Sequence, residues 1–299
     1  MVIDEILRLK NERKAVILAH NYQPGPVQDI ADLTGDSLEL SRAAAKLDSE
    51  VIVFCGVDFM AETAAILSPQ KKVVLPEKGA WCPMAHMITP DQLRDIKAVY
   101  PEAAVVCYVN STAEVKAQSD ICCTSANGIQ VVNSLDEKEV IFVPDRNLAS
   151  YVSRHTPKKI IPWDGYCYVH DRFTPEEVQA ARRLHPHAEV LVHPECRAAV
   201  IDAADYAFST SGMGRHAKTS QAREFVIGTE VGMIYRLKKD NPDKEFYPLS
   251  DKAICQNMKK TNLEKVLRAL ETLEPRVTVP EEIASRARRS IERMLSIKV

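Results

Sequence analysis

The sequence has no apolar run near the ~18–20 residues that span a bilayer. Its opening stretch, MVIDEILRLKNERKAVILAH, carries acidic residues early and lacks the basic–apolar–cleavage order of a signal peptide. The expected location is therefore the cytoplasm, with no membrane partner. No Lys/Arg block or basic stripe stands out and the formal net charge is −2, so no nucleic-acid partner is expected either. Flexible linkers and low-complexity segments are missing too. Among the eight cysteines there is no C-x-x-C, and the single close pair is Cys122–Cys123. That excludes local zinc-finger and ferredoxin-type runs. In a reducing compartment disulfides are unfavourable, so any metal site must gather cysteines from distant parts of the chain.

What is present is ordinary for a globular protein: 299 residues, 45% hydrophobic and 27% charged. Strand and helix signals alternate. KAVILA (14–19) is a short continuous apolar run, as in a buried strand; Leu38–Leu47 has helical periodicity, Val51–Phe54 reads as a strand, Phe59–Leu67 as a helix and Val73–Leu75 as a strand. A βαβαβ rhythm predicts a parallel sheet flanked by helices. The rhythm restarts with strands at Ala104–Val109, Val140–Val143 and Ile160–Ile161, and again at Glu189–Val192, Ala207–Phe208 and Phe246–Tyr247.

An internal repeat accounts for this. The first strands end at His20, Tyr108 and His193, separated by 88 and 85 residues. Tyr22, Asn110 and Glu195 keep the same offsets, as do the hydroxyl residues Ser37, Ser125 and Thr210. Pro76, Pro162 and Pro248 recur every 86 residues, and a cysteine follows each: Cys82, Cys167 and Cys255. The expected fold is α/β, with three pseudo-symmetric units, each a small parallel sheet, around a central cavity. The units are placed at 1–86, 87–171 and 172–259. Helical spacing at Leu263, Val266, Leu267 and Leu270, and again at Ile283, Ala287, Ile291 and Met294, makes 260–299 a pair of helices packing on the body.

Ligands of parallel α/β sheets bind beyond the carboxyl ends of the strands. Three units around a pseudo-threefold axis would bring these ends into one cavity. A lone cysteine is more often a small core residue than a ligand, but one equivalent cysteine per unit points to a shared metal. Cys55 and Cys107 lie in apolar strands and read as core, while Cys196 is ambiguous. Three thiolates suit a [4Fe–4S] cube with one open iron, or a zinc ion with one open position; an open position implies Lewis-acid chemistry. The paired His-x-Tyr, Tyr-x-Asn and His-x-Glu groups supply donors and proton acceptors. Ser37, Ser125 and Thr210, at or near helix starts, suit a ligand with several carboxylate or phosphate groups, although plain N-capping is the common alternative.

The segments AHNYQ, TGDSLELS, YVNSTAEVKA, GYCYVH, VHPEC and STSGM resemble the quinolinate synthase family, over about residues 15–260. The resemblance implies a [4Fe–4S] cluster on Cys82, Cys167 and Cys255. It implies condensation of iminosuccinate with dihydroxyacetone phosphate to quinolinate, with loss of phosphate and water, in NAD biosynthesis. L-aspartate oxidase or aspartate dehydrogenase would supply the iminosuccinate. Substrate contacts carried over are His20, Ser37, Tyr108, Val109, Asn110, Ser125, His193, Pro194, Glu195 and Thr210. For proton transfer the expectation is Glu195 as general base, assisted by Tyr22 and His193, with Tyr108 positioning substrate. Two alternatives stay open: an iron–sulfur enzyme of the diphthamide-synthesis type, which has a similar plan, and a non-catalytic metal-binding protein.

Overall fold

In the computed structural model, which describes residues 1–297, the strands form three separate four-stranded parallel sheets. The first contains β1 (Ala15–His20), β2 (Leu33–Gly35), β3 (Val51–Cys55) and β4 (Lys72–Val74). The second contains β5 (Ala104–Tyr108), β6 (Ile121–Cys123), β7 (Glu139–Val143) and β8 (Lys159–Pro162). The third contains β9 (Glu189–Val192), β10 (Tyr206–Ala207), β11 (Glu224–Gly228) and β12 (Glu245–Pro248). Each has the order second–first–third–fourth. The chain therefore leaves the first strand of every sheet toward one edge and returns on its other side. That reversal opens a crevice at the carboxyl end of β1, β5 and β9.

Each sheet has one strand more than the rhythm of three suggests. The additions are β2, β6 and β11. β2 (LTG) and β6 (ICC) are three-residue edge strands with too little pattern to stand out. β11 (EFVIG) is a central strand between β9 and β12, where the sequence reading placed only the short edge strand near Ala207. Central strands such as VIVFC are buried along their whole length, as sheets covered on both faces require.

The repeat is also written in polar side chains. Asp32, Asp120 and Asp205, again 88 and 85 residues apart, each accept a backbone N–H near the start of a central strand: Ile17 at 2.8 Å, Val105 at 2.7 Å and Val190 at 2.7 Å. Lys71, Lys158 and Lys244 each donate to carbonyls at the end of a helix: Ala44 and Leu47, Leu135 and Glu137, and Ala217 and Ser220. A cation there offsets the negative helix end and satisfies otherwise orphaned carbonyls.

The units are not equally joined. One continuous apolar core runs through the first and second sheets, and the third sheet has two smaller clusters of its own. The helix Glu281–Ser296 lays Ala284, Ala287, Ile291 and Met294 into the shared core. Its Ser290 hydroxyl donates to the Lys116 carbonyl at 2.9 Å. The helix Leu263–Thr272 instead packs Val266, Ala269 and Leu270 with Ile6 and Leu9 of the helix Val2–Glu12. No described helix is long and apolar enough to cross a membrane.

Candidate active site

His20 is the last residue of β1, Tyr108 the last of β5, and His193 directly follows β9. These carboxyl ends, with the loops after β4, β8 and β12, line a common cavity. Its walls include His20, Tyr22, Ser37, Tyr108, Asn110, Ser125, His193, Glu195 and Thr210, together with Cys82, Cys167 and Cys255. Val109 is buried beside Ser37 at the edge of this region, and its N–H donates to the Cys123 carbonyl at 2.9 Å. Pro194 is buried between His193 and Glu195; neither its side chain nor that of Val109 is part of the main cavity wall. Ser37 and Thr210 are the first residues of the helices Ser37–Lys46 and Thr210–Thr219, whose N-caps are Asp36 and Ser209. Ser125 lies just before the helix Gly128–Asn133.

Burial sets the protonation states. It lowers the pKa of His20 and His193 to about 3; Lys259 adds to the effect at His20, while Glu195 opposes it at His193. Both imidazoles are therefore neutral, and their tautomers follow from the backbone. His20 Nδ1 accepts the Tyr22 N–H at 3.2 Å and His193 Nδ1 accepts the Glu195 N–H at 3.3 Å. The proton is left on Nε2, and that of His193 faces the Ser125 hydroxyl at 3.1 Å. Burial also raises both phenols, Tyr22 and Tyr108, helped by the charge on Glu195, so each stays a donor. For Glu195 burial pulls upward, but His170, His193 and a hydrogen bond from Tyr108 outweigh it and hold the carboxyl well below its usual range.

Two further residues complete this set. His170 Nδ1 lies 2.6 Å from Glu195 Oε2 and 3.2 Å from Cys167 Sγ, and its ring stacks on His193. His170 Nε2 meets the Thr229 hydroxyl at 2.8 Å, which meets the Tyr22 hydroxyl at 2.6 Å. Glu195, His170, Thr229 and Tyr22 thus form an unbroken buried line able to pass a proton. The threefold offsets hide His170, since Ala85 and Met258 stand three residues after the other two cysteines. Its signal was its place in GYCYVH, next to a candidate ligand. Thr229 had no comparable cue.

Two observations bear on what the cavity holds. Asn110 Oδ1, in its wall, is buried without a hydrogen-bond partner, an acceptor waiting for a ligand donor. The three cavity cysteines are partly exposed, whereas Cys55, Cys107, Cys122, Cys123 and Cys196 are fully buried and away from the cavity wall. Burial raises the free thiols of Cys82 and Cys167, and the other cysteines of the trio push further in the same direction. Burial raises Cys255 as well, so the three sulfurs form a donor set that a multivalent cation would stabilise as thiolates. Ligand atoms for a single ion must crowd together. Among the described residues, the group whose atoms all lie within 4.8 Å of one another is Cys167, His170 and Glu195, not the three cysteines.

The pattern of the quinolinate synthetase A protein family matches residues 4–296. A quinolinate synthase of Methanoregula boonei is 63% identical over 294 residues, covering 98% of this chain and 97% of the relative. A quinolinate synthase of Dehalococcoides mccartyi is 56% identical, covering 99% and 98%. Quinolinate synthase 2 of Methanosarcina acetivorans is 52% identical, covering 99% and 96%. Three parallel sheets meeting at one cavity, the repeated strand-end groups and these full-length matches agree: the chain belongs to the quinolinate synthetase A protein family.

Proposed function

We propose that the chain is a cytoplasmic quinolinate synthase that condenses iminosuccinate with dihydroxyacetone phosphate, releasing phosphate and two waters, on a [4Fe–4S] cluster. Cys82, Cys167 and Cys255 would hold the cluster. The observation that carries this reading is one cysteine from each of three equivalent loops facing the cavity that also gathers the strand-end groups. Spacing too wide for one ion, with sulfur donors throughout, suits the separate corners of a cube. When bound, such a cluster supplies one Lewis-acidic iron with an open position. The three units are taken at 1–86, 87–171 and 172–259, with 260–299 packing on them.

The chain's own residues do the rest. Glu195, ionised and aimed by His170, removes a carbon-bound proton, which His170, Thr229 and Tyr22 can carry away. Tyr108 and Asn110 hold the substrate and offset charge as it develops. The Nε2–H groups of His20 and His193, with Ser37, Ser125 and Thr210 near helix starts, suit the carboxylates and phosphate of the two substrates. Val109 and Pro194, which flank Tyr108, Asn110, His193 and Glu195 in the chain, would complete the substrate contacts. An upstream aspartate-oxidising enzyme, L-aspartate oxidase or aspartate dehydrogenase, supplies the unstable imine.

Anaerobic purification, metal and sulfide analysis and a quinolinate assay on one sample test this. About four irons per chain are expected for one cube, together with quinolinate. A full cluster without quinolinate would overturn the substrate assignment. Zinc in place of iron would favour a second reading, a single ion on Cys167, His170 and Glu195, the one compact ligand group among the described residues.

A further inference from the structure

Behind the three cysteines stand three carboxylates that take no part in the chemistry above. Asp58, Asp145 and Glu230 follow β3, β7 and β11, at intervals of 87 and 85 residues. Each accepts the backbone N–H of its own unit's cysteine. Cys82 donates to Asp58 Oδ1 at 3.0 Å, Cys167 to Asp145 Oδ2 at 3.2 Å and Cys255 to Glu230 Oε1 at 3.1 Å. The same carboxylates also start the helices beyond their strands, accepting the N–H of Phe59 at 2.9 Å, Leu148 at 2.7 Å and Gly232 at 2.7 Å.

Helix capping alone explains the second set of bonds but not the first. A capping carboxylate needs only the N–H groups of its own helix. Here every one reaches 22 to 25 residues along the chain, to the one backbone amide that belongs to the cysteine. Asp145 and Glu230 are fully buried (0% exposed), so water cannot substitute for these bonds.

The anchors are themselves braced from the cysteine side. Four residues after the cysteine, His86 meets Asp58 at 2.9 Å and Lys259 meets Glu230 at 2.9 Å. The second unit differs, having Asp171 at that position. There Gly165 donates its N–H to the Pro144 carbonyl at 3.0 Å, and a Cβ on Gly165 would sit 2.4 Å from that oxygen. Only glycine lets the Cys167 loop lie this close to Asp145.

We infer that Asp58, Asp145 and Glu230 are positioning residues that fix the three cysteines at the spacing of a metal cluster, an inference that rests on the cluster reading above. Each acts through a ligand's backbone and none touches substrate, so the effect falls on how long the cluster is held. Partners one step removed from a metal typically govern its affinity by about 10–100-fold.

The test uses full-length, anaerobically reconstituted protein and follows iron release to a chelator. Asp145→Ala and Glu230→Ala should release iron at least about tenfold faster than wild type. Asp145→Asn and Glu230→Gln keep one of the two acceptor oxygens and should restore part of the retention lost in the alanine variants. Asp120→Ala, which removes an exposed carboxylate anchoring the Val105 N–H at the opposite end of the second sheet, should lower the melting temperature of the metal-free chain without speeding release. Unchanged release from both alanine variants overturns the inference. So does faster release that tracks melting temperature across all five variants, Asp120→Ala included. A wild-type chain that takes up no iron–sulfur cluster would instead remove the reading on which the inference stands.

Discussion

Glu195→Gln preserves the shape of the side chain while removing its charge. In the folded protein this carboxylate is 3% exposed, 2.6 Å from His170 Nδ1 and 3.6 Å from His193 Nδ1. Leaving the buried partner of such a hydrogen bond unsatisfied costs about 1–3 kcal/mol. Glutamine still offers a carbonyl oxygen to His170, so the expected loss is about 1–2 kcal/mol, the difference between a charged and a neutral hydrogen bond. Against a typical stability of about 5–15 kcal/mol, nearly all of the variant stays folded. A large fall in activity would then be chemical. Loss of a general base predicts turnover reduced about 10²–10⁴-fold. The assay is quinolinate release from anaerobic samples of matched iron content, with denaturation midpoints on the same samples. Turnover within about threefold of wild type, well short of general-base loss, would remove Glu195 from proton transfer. A variant that cannot be loaded to the wild-type iron content would assign Glu195 to holding the metal instead.

His20 and His193 titrate near 6.5 when exposed and at about 3 here, because burial penalises the imidazolium. The unfolded chain therefore binds protons that the folded chain refuses. The stabilising contribution is intact above about pH 6.5 and erodes as the pH falls toward about 3. His193→Gln should flatten that slope in denaturation midpoints measured across the interval; an unchanged slope would falsify the assignment of a neutral His193. For the metal, Cys167→Ala should lose the iron and visible absorption of the reconstituted protein, whereas Cys107→Ala, buried in β5, should keep both. Equal loss in the two would overturn the choice of ligands.

The sequence reveals the repeat because short parallel strands and the residues at their ends obey local rules. A buried strand must be apolar, and a site residue must follow it directly. The same offsets recur in Asp32, Asp120 and Asp205, and nearly the same, 87 and 86 residues, in Lys71, Lys158 and Lys244. Charged residues between apolar runs carry no local sign that they tie loops together, so a reading of apolar runs and strand ends does not pick them out. His170 and Thr229 stayed hidden for the opposite reason. They break the threefold pattern, and only folding brings them between Glu195 and Tyr22. β11 was missed because a template of three strands per unit had no place for a fourth.

The helix Glu281–Ser296 closes the core between the first and second sheets, although the third sheet separates it from them in the chain. On the ribosome, those two sheets emerge long before the residues that cover Val115 and Ile121. The third sheet, with apolar clusters of its own, has all its parts earlier than its predecessors have theirs. Synthesis order and completion order are therefore reversed. The nascent chain carries an open apolar seam through most of its translation, a stretch during which chaperones have a defined surface to hold.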